Sequence, residues 1–194
     1  ALLSNVAKSA GNATTARKLG GCPTWYETNV DAGAGGSGAG NGAIRTDGTQ
    51  RAFTEDQLKG ILVSCYNEGG NPNMIMVNAF NKQKLSGFTG GSTRFDAAED
   101  RRLITSIDVY ESDFGTMQVS PNRFIRGANA TSAKIGQDAH ILDMEYWAVS
   151  FLRDFALQTP AQTADADQRF MVAEYTLESR NEKASGLITD LTTS

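Results

Sequence analysis

Few residues in this chain are of types that do chemistry, and their spacing serves them poorly. Gly33, Gly35 and Gly38 match G-x-G-x-x-G, the spacing with which backbone amides cradle a dinucleotide pyrophosphate. Such a site needs a strand before the glycines and a helix N-terminus after them, so that N–H groups and the helix dipole converge on phosphate. These glycines lie inside Ala32-Gly-Ala-Gly-Gly-Ser-Gly-Ala-Gly-Asn-Gly42, where small-residue patterns arise by chance, and Ile44-Arg-Thr-Asp-Gly48 does not open a helix. The segment reads as a flexible, low-complexity loop. Asp113-Phe-Gly115 spells the metal-binding tripeptide of protein kinases, but the other signatures of that machinery are missing, and a turn between strands is expected.

His140 is the single histidine, so a two-histidine zinc site is excluded and any catalytic triad would rest on one imidazole flanked by Ile141 and Leu142. Asp108, Glu111 and Asp113 cluster in sequence, as do Asp165 and Asp167. A glycosidase needs two carboxyls facing each other across a cleft, and solvation at loops and strand edges is the expected fate of these. Cys22 and Cys65 have no paired spacing and read as two buried, reduced thiols. Asn12-Ala-Thr14 and Asn129-Ala-Thr131 match a glycosylation sequon without a secretory signal. No catalytic, cofactor-binding or metal-binding residue is assigned.

The 194 residues are 40% hydrophobic and 21% charged, ordinary values for a globular chain of one domain or two small lobes. A formal net charge of −4 argues against a surface built to grip phosphate backbones. The basic pairs Arg17-Lys18 and Arg101-Arg102 are too small to make a patch. No run approaches the ~18 apolar residues that a membrane span needs.

The elements that must carry these residues read as follows. Leu2, Leu3, Val6, Ala7 and Ala10 form one apolar helical stripe with no N-cap before it, as if the chain began inside a helix. That helix is expected to fade near Gly11-Asn12 or to continue weakly through Ala16-Arg17-Lys18, with Gly20-Gly-Cys-Pro23 as its firm end, and Trp25 to Val30 is a short extended candidate. A capping box at Thr54 and Gln57, with Phe53 and Leu58 as hydrophobic staple, starts a second helix. Its stripe is Leu58, Ile61, Leu62, Cys65 and Tyr66, and Gly69-Gly70 stops it. Met74 to Val77 is a buried strand followed by a helical turn at Ala79-Phe80. Thr105 to Glu111 and Thr116 to Ser120 form a hairpin about Asp113-Phe-Gly115. Arg123 to Arg126 and His140 to Leu142 are further strands. Asp143 to Phe155 reads as helical or irregular, with Trp147 and Phe151 as core anchors.

From Phe170 onward, Met171, Ala173, Tyr175 and Leu177 alternate with Glu174, Thr176 and Glu178, giving a strand with one dry face. After a break at Asn181-Glu-Lys183, Leu187 and Leu191 resume the parity, so two nearly continuous strands are expected. The pattern lacks regular βα alternation, and the fold class is α+β.

An ordered set of segments carries a family resemblance. It runs from Thr14-Thr-Ala-Arg17 and Trp25-Tyr-Glu-Thr-Asn29 to Tyr66-Asn-Glu-Gly-Gly-Asn-Pro72 and Met74-Ile-Met-Val77. It continues with Glu111-Ser-Asp-Phe-Gly115, Pro121-Asn-Arg-Phe124, Leu142-Asp-Met-Glu-Tyr-Trp147, Leu152-Arg153 and Glu174-Tyr-Thr-Leu-Glu-Ser-Arg-Asn-Glu-Lys-Ala184. Together they resemble the tailed-bacteriophage major head proteins with the Hong Kong 97-type capsid fold.

The resemblance implies a fold truncated at its N-terminus. Residues 1–30 and 143–194 would supply peripheral-domain elements (the end of a spine helix and long strands), 31–53 a Gly-rich loop or linker, and 54–142 an axial domain. The N-terminal arm and extended loop that clasp neighbouring subunits have no counterpart here. The implied function is a non-enzymatic subunit of an icosahedral head, assembled in the host cytoplasm and residing in the virion. Its partners would be copies of itself in ring-forming capsomers, with scaffold, portal or head protease as further candidates. It would enclose double-stranded DNA without binding it specifically, and use neither membrane nor cofactor. The alternatives are a nanocompartment shell of the same fold and a phosphate- or nucleotide-binding enzyme using Gly33 to Gly42.

Overall fold

The computed structural model describes residues 6–88, 108–125, 135–161, 165 and 167–193. The elements run in the order β1 (Val30–Asp31), α1 (Glu55–Asn67), β2 (Met74–Val77), α2 (Ala79–Ser86), β3 (Val109–Ser112), β4 (Gly115–Pro121), β5 (Ala139–Leu142), β6 (Trp147–Gln158), β7 (Phe170–Ser179) and β8 (Gly186–Ile188). Six of the strands form one mixed sheet in the order β1-β8-β5-β2-β4-β3, and β6 and β7 form a separate two-stranded ribbon. Mixed helices and sheet agree with the α+β expectation.

Period-two alternation sorts the six-stranded sheet into two apolar layers. Ile75, Val77, Ala139, Ile141 and Ile188 point to one face, where Leu58, Ile61, Leu62 and Cys65 of α1 and Leu85 of α2 cover them. Met74, Met76, Leu142 and Leu187 point to the other, with Cys22, Tyr26 and Trp147. The helix stripe read from the sequence is therefore the cover of the first face, except that Tyr66 is 59% exposed. The capping box forms as expected. The Thr54 hydroxyl accepts from the Gln57 N–H, and the Gln57 side chain accepts from the Thr54 N–H. Gly69 leaves the helix at φ +81°, the left-handed conformation that glycine adopts freely.

The β3–β4 hairpin turns at Asp113-Phe114, as the spacing predicts, while Thr105 to Ile107 lie outside the described residues. Several expectations need correction. No helix occupies residues 6–18. Ser9 instead bridges to Lys18 across a turn in which the Asn12 side chain accepts from the Thr14 and Thr15 N–H groups. Gly11 stands there at φ +75°, so this glycine and asparagine override the apolar stripe. Leu2 and Leu3 lie outside the described residues. Trp25 to Val30 is not extended. A 3-10 turn at Cys22–Thr24 leads into it, and only Val30 reaches a strand. Arg123 to Ile125 is a turn held by the Asn122 side chain on the Phe124 N–H, and Arg126 lies outside the described residues.

Asp143 to Phe155 holds a 3-10 turn at Met144–Tyr146 and then most of the long strand β6. The helical look came from two register shifts, between Phe151 and Arg153 and between Arg153 and Ala156. Each moves the apolar parity, so Phe151, Leu152 and Phe155 mimic helical spacing. The two closing strands are not one spine either. The interlude is a 3-10 turn at Glu182–Ala184, after which the chain changes sheets and β8 lies between β5 and β1.

Candidate assembly surface

The sequence candidates for chemistry do not converge. Asp108, Glu111, Asp113, Asp165 and Asp167 are all exposed; Asp108 meets Lys82 at 3.3 Å and Asp167 meets Arg169 at 2.9 Å. His140 is fully buried, with its Nδ1 3.9 Å from the Cys22 Sγ, and burial with Arg45 nearby lowers its pKa to about 4. Burial pushes both thiols, Cys22 and Cys65, up to about 12, and both are free. At that pKa neither supplies a thiolate nucleophile. Among the described residues, no group of three or more His, Cys, Asp or Glu could hold a metal, and no helix is long and apolar enough to cross a membrane.

The Gly-rich segment is folded against the body of the protein rather than left slack. Ser37 and Thr46 bridge, and the N–H groups of Gly33 and Gly48 donate to the carboxylate of Asp190. A Cβ at Gly33 would lie 2.1 Å from the Thr49 carbonyl oxygen, so that glycine serves close packing. The amides that could have cradled phosphate hold an internal carboxylate.

The feature that does stand out is the β6–β7 ribbon. Directly opposed residues share a face, so the register places Trp147, Val149, Phe151 and Leu157 with Leu177, Tyr175 and Met171 on one side. Phe155 joins them, its ring 6.0 Å from that of Phe151, while Tyr175 lies 5.9 Å from Phe151. The opposite side is polar in its middle and carries Val172 and the 44% exposed Phe170 toward the far end. There Arg153 grips Glu174 with two N–H donors at 2.9 and 2.6 Å, and the Ser150 hydroxyl bonds Glu178.

Among the described residues, the apolar side is buried at its base. Leu177 is 8% exposed, and Trp147 packs 5.7 Å from the Tyr26 ring and donates its indole N–H to Ser185. Beyond it Val149, Phe151, Phe155, Leu157, Met171 and Tyr175 stand 44–65% exposed. Phe151 is thus not the core anchor its residue type implied, and the dry face of β7 is dry only at Leu177. A groove of ≈ 680 Å³ lies between residues 9–19 and the middle of the ribbon, where Arg17 and Leu19 face a lining that includes Phe151, Tyr175 and Glu174. A two-stranded ribbon is marginal alone, and contiguous bare apolar side chains mark a surface meant to be covered.

A family model described as the SU10 major capsid protein matches residues 1–192. The chain belongs to that family. No curated protein matches it. The protein is a structural capsid subunit of a phage head, a kind of protein that acts by self-association into a shell and resides in the virion. Sequence reasoning found the alternation of β7 but missed the partner strand β6, whose bulges scramble the same signal.

Proposed function

We propose that the subunit adopts a Hong Kong 97-type arrangement and assembles through repeated contacts that cover the apolar side of the β6–β7 ribbon. In this reading residues 54–142 form the axial part at the capsomer centre, 1–30 and 143–194 the peripheral part, and 31–53 the link between them. The ribbon then belongs to the periphery. The observation that carries the proposal is the row of six large, 44–65% exposed apolar side chains on a hairpin that is buried, among the described residues, at its base.

The energetics favour many modest contacts. Burying one such side chain gives about 1.5–3 kcal/mol, while association costs about 4–15 kcal/mol in lost freedom. A single contact is therefore weak, and a closed ring multiplies it. The acidic charge suits a container that encloses double-stranded DNA without holding it fast. Assembly would take place in the host cytoplasm, with scaffold, portal or head protease as accessory partners. The family match favours a phage head over a nanocompartment, and the occupied amides of Gly33 and Gly48 weigh against a nucleotide site.

Thiol labelling of a Phe155→Cys variant of the full-length subunit tests this, because Cys22 and Cys65 are both buried. The new thiol should react in unassembled subunits and be protected in purified particles. Equal reactivity in both states would falsify the ribbon contact. A map of the particle tests the fold and its division into parts.

A further inference from the structure

A second feature of the chain, unrelated to the ribbon, is a buried knot of charge. Arg45, in the Gly-rich segment, meets three carboxylates: Asp47 at 2.8 Å, Asp138 at 2.9 Å and Asp190 at 3.2 Å. The side chains of Arg45, Asp138 and Asp190 have no solvent exposure, and that of Asp47 is 35% exposed. Among the described residues, one cation thus faces three acids, two of them in the dry interior. Ionising all three would leave uncompensated negative charge where water cannot screen it.

The hydrogen bonds separate the two buried acids. Asp190 receives the Gly33 N–H at 3.0 Å, the Thr189 hydroxyl at 2.9 Å, the Gly48 N–H and one Arg45 donor. Burial alone would raise its pKa, but these donors outweigh burial and hold it below the usual carboxylate value. Asp138 receives only Arg45, on Oδ1, and its Oδ2 is buried without a partner. It is the acid the site can keep neutral.

We propose that this cluster is a proton-dependent latch on the Gly-rich segment, closed while Asp138 carries a proton and loosened when Asp138 gives that proton up to solvent. On proton loss, the buried excess of negative charge is relieved by letting segment 45–49 lift, so that water reaches Asp138 and Asp190 as well as Arg45. The charged and titratable groups facing Asp138 come from every packed element. They are Arg45 and Asp47 from the Gly-rich segment, Asp190 after β8, His140 on β5, and Cys22 and Tyr26 from the turn before β1. Burial raises Asp138 to about 7, with Arg45 opposing and Asp190 and Asp47 adding to the rise.

The sign follows from linkage. A carboxyl raised in the closed form stabilises that form fully below its open-state value near ~4, and the stabilisation is lost as pH rises through about 7. His140 works in the opposite sense. Its closed-form pKa is lowered to about 4, so its contribution is present above ~6.5 and lost as pH falls. It cannot mimic the Asp138 effect.

Hydrogen exchange on the intact chain, corrected for intrinsic rates, tests the latch at the Ser37, Thr46 and Thr49 amides, which bond Thr46 O, Ser37 O and Ala34 O. Asp138→Asn, nearly identical in shape, keeps the His140 contribution and lacks that of Asp138, so opening in the unaltered chain relative to that variant should grow about tenfold per pH unit from ~4 to ~7 and then level off. Infrared difference spectra should show a protonated-carboxyl band at mildly acidic pH that the same variant deletes. Identical pH profiles for the two proteins, or no such band in the unaltered chain, would overturn the proposal.

Discussion

The six-stranded sheet and the β6–β7 ribbon are built from similar apolar residues with opposite results. In the sheet, Ile75, Val77, Ile141, Leu187 and Ile188 are fully buried, because α1 and α2 lie on one face and the Cys22 to Tyr26 turn with Trp147 on the other. In the ribbon, Phe151, Phe155, Met171 and Tyr175 are 49–65% exposed, although residues 9–19 share a groove with Phe151 and Tyr175. The sheet thus uses its apolar area to make a folded subunit. In the proposed assembly the ribbon keeps its own for a neighbouring subunit, so that folding and assembly free energy would be held in separate places.

The largest way to disturb this division is Arg45→Ala. It would leave Asp138 and Asp190 buried without their cation, and removing one partner of a buried pair costs about 3–5 kcal/mol. Urea unfolding should show that loss. At a pH high enough to ionise Asp138, adding Asp138→Asn in the same chain should recover part of it, whereas at lower pH, where Asp138 already carries a proton, the second substitution should change little. A loss under ~1 kcal/mol would mean that the charge knot does not fasten the sheet side of the comparison.

Ile141→Ala should come next. Ile141 is fully buried on β5 between β2 and β8, and its truncation leaves a cavity costing about 2–5 kcal/mol. The denaturation midpoint should fall with an unchanged slope. The comparison needs this cost to be far greater than that of any truncation on the ribbon's bare side.

Much of the sheet side was legible in the sequence because its signals are local and mutually consistent. Thr54 and Gln57 state a helix start, the Leu58 to Cys65 stripe states its buried face, and Asp113-Phe-Gly115 states a hairpin. The ribbon was legible in one strand only. β7 alternates cleanly, whereas β6 carries two register shifts that turn a period of two into an apparent helix. Alternation also says which residues share a face, and not whether anything covers it, so Phe151 and Tyr175 read as core. The charge knot left no local trace. Arg45, Asp138 and Asp190 are far apart in sequence and meet only because Asp190 follows β8 and Asp138 precedes β5, its neighbour in the sheet. The glycines of 33–48 looked like slack for the same reason, since their packing partners, Asp190 and Thr49, come from tertiary structure.

The smallest effect on the subunit should come from Phe155→Ser. Phe155 is 62% exposed and touches mainly Phe151 on its own ribbon, so folded stability should change by no more than about 0.5 kcal/mol. Assembly should respond differently. If covering this ring contributes about 2 kcal/mol to each contact, every contact weakens about 30-fold, and ring closure compounds the loss. Light scattering against protein concentration should then show the threshold for particle formation rising by at least that factor. If Phe155→Ser unfolds the subunit as Ile141→Ala does, the ribbon belongs to the core and the division fails. If neither stability nor assembly moves, the neighbouring surface lies elsewhere on the subunit, and Val149, Leu157 and Met171 are bare for another reason.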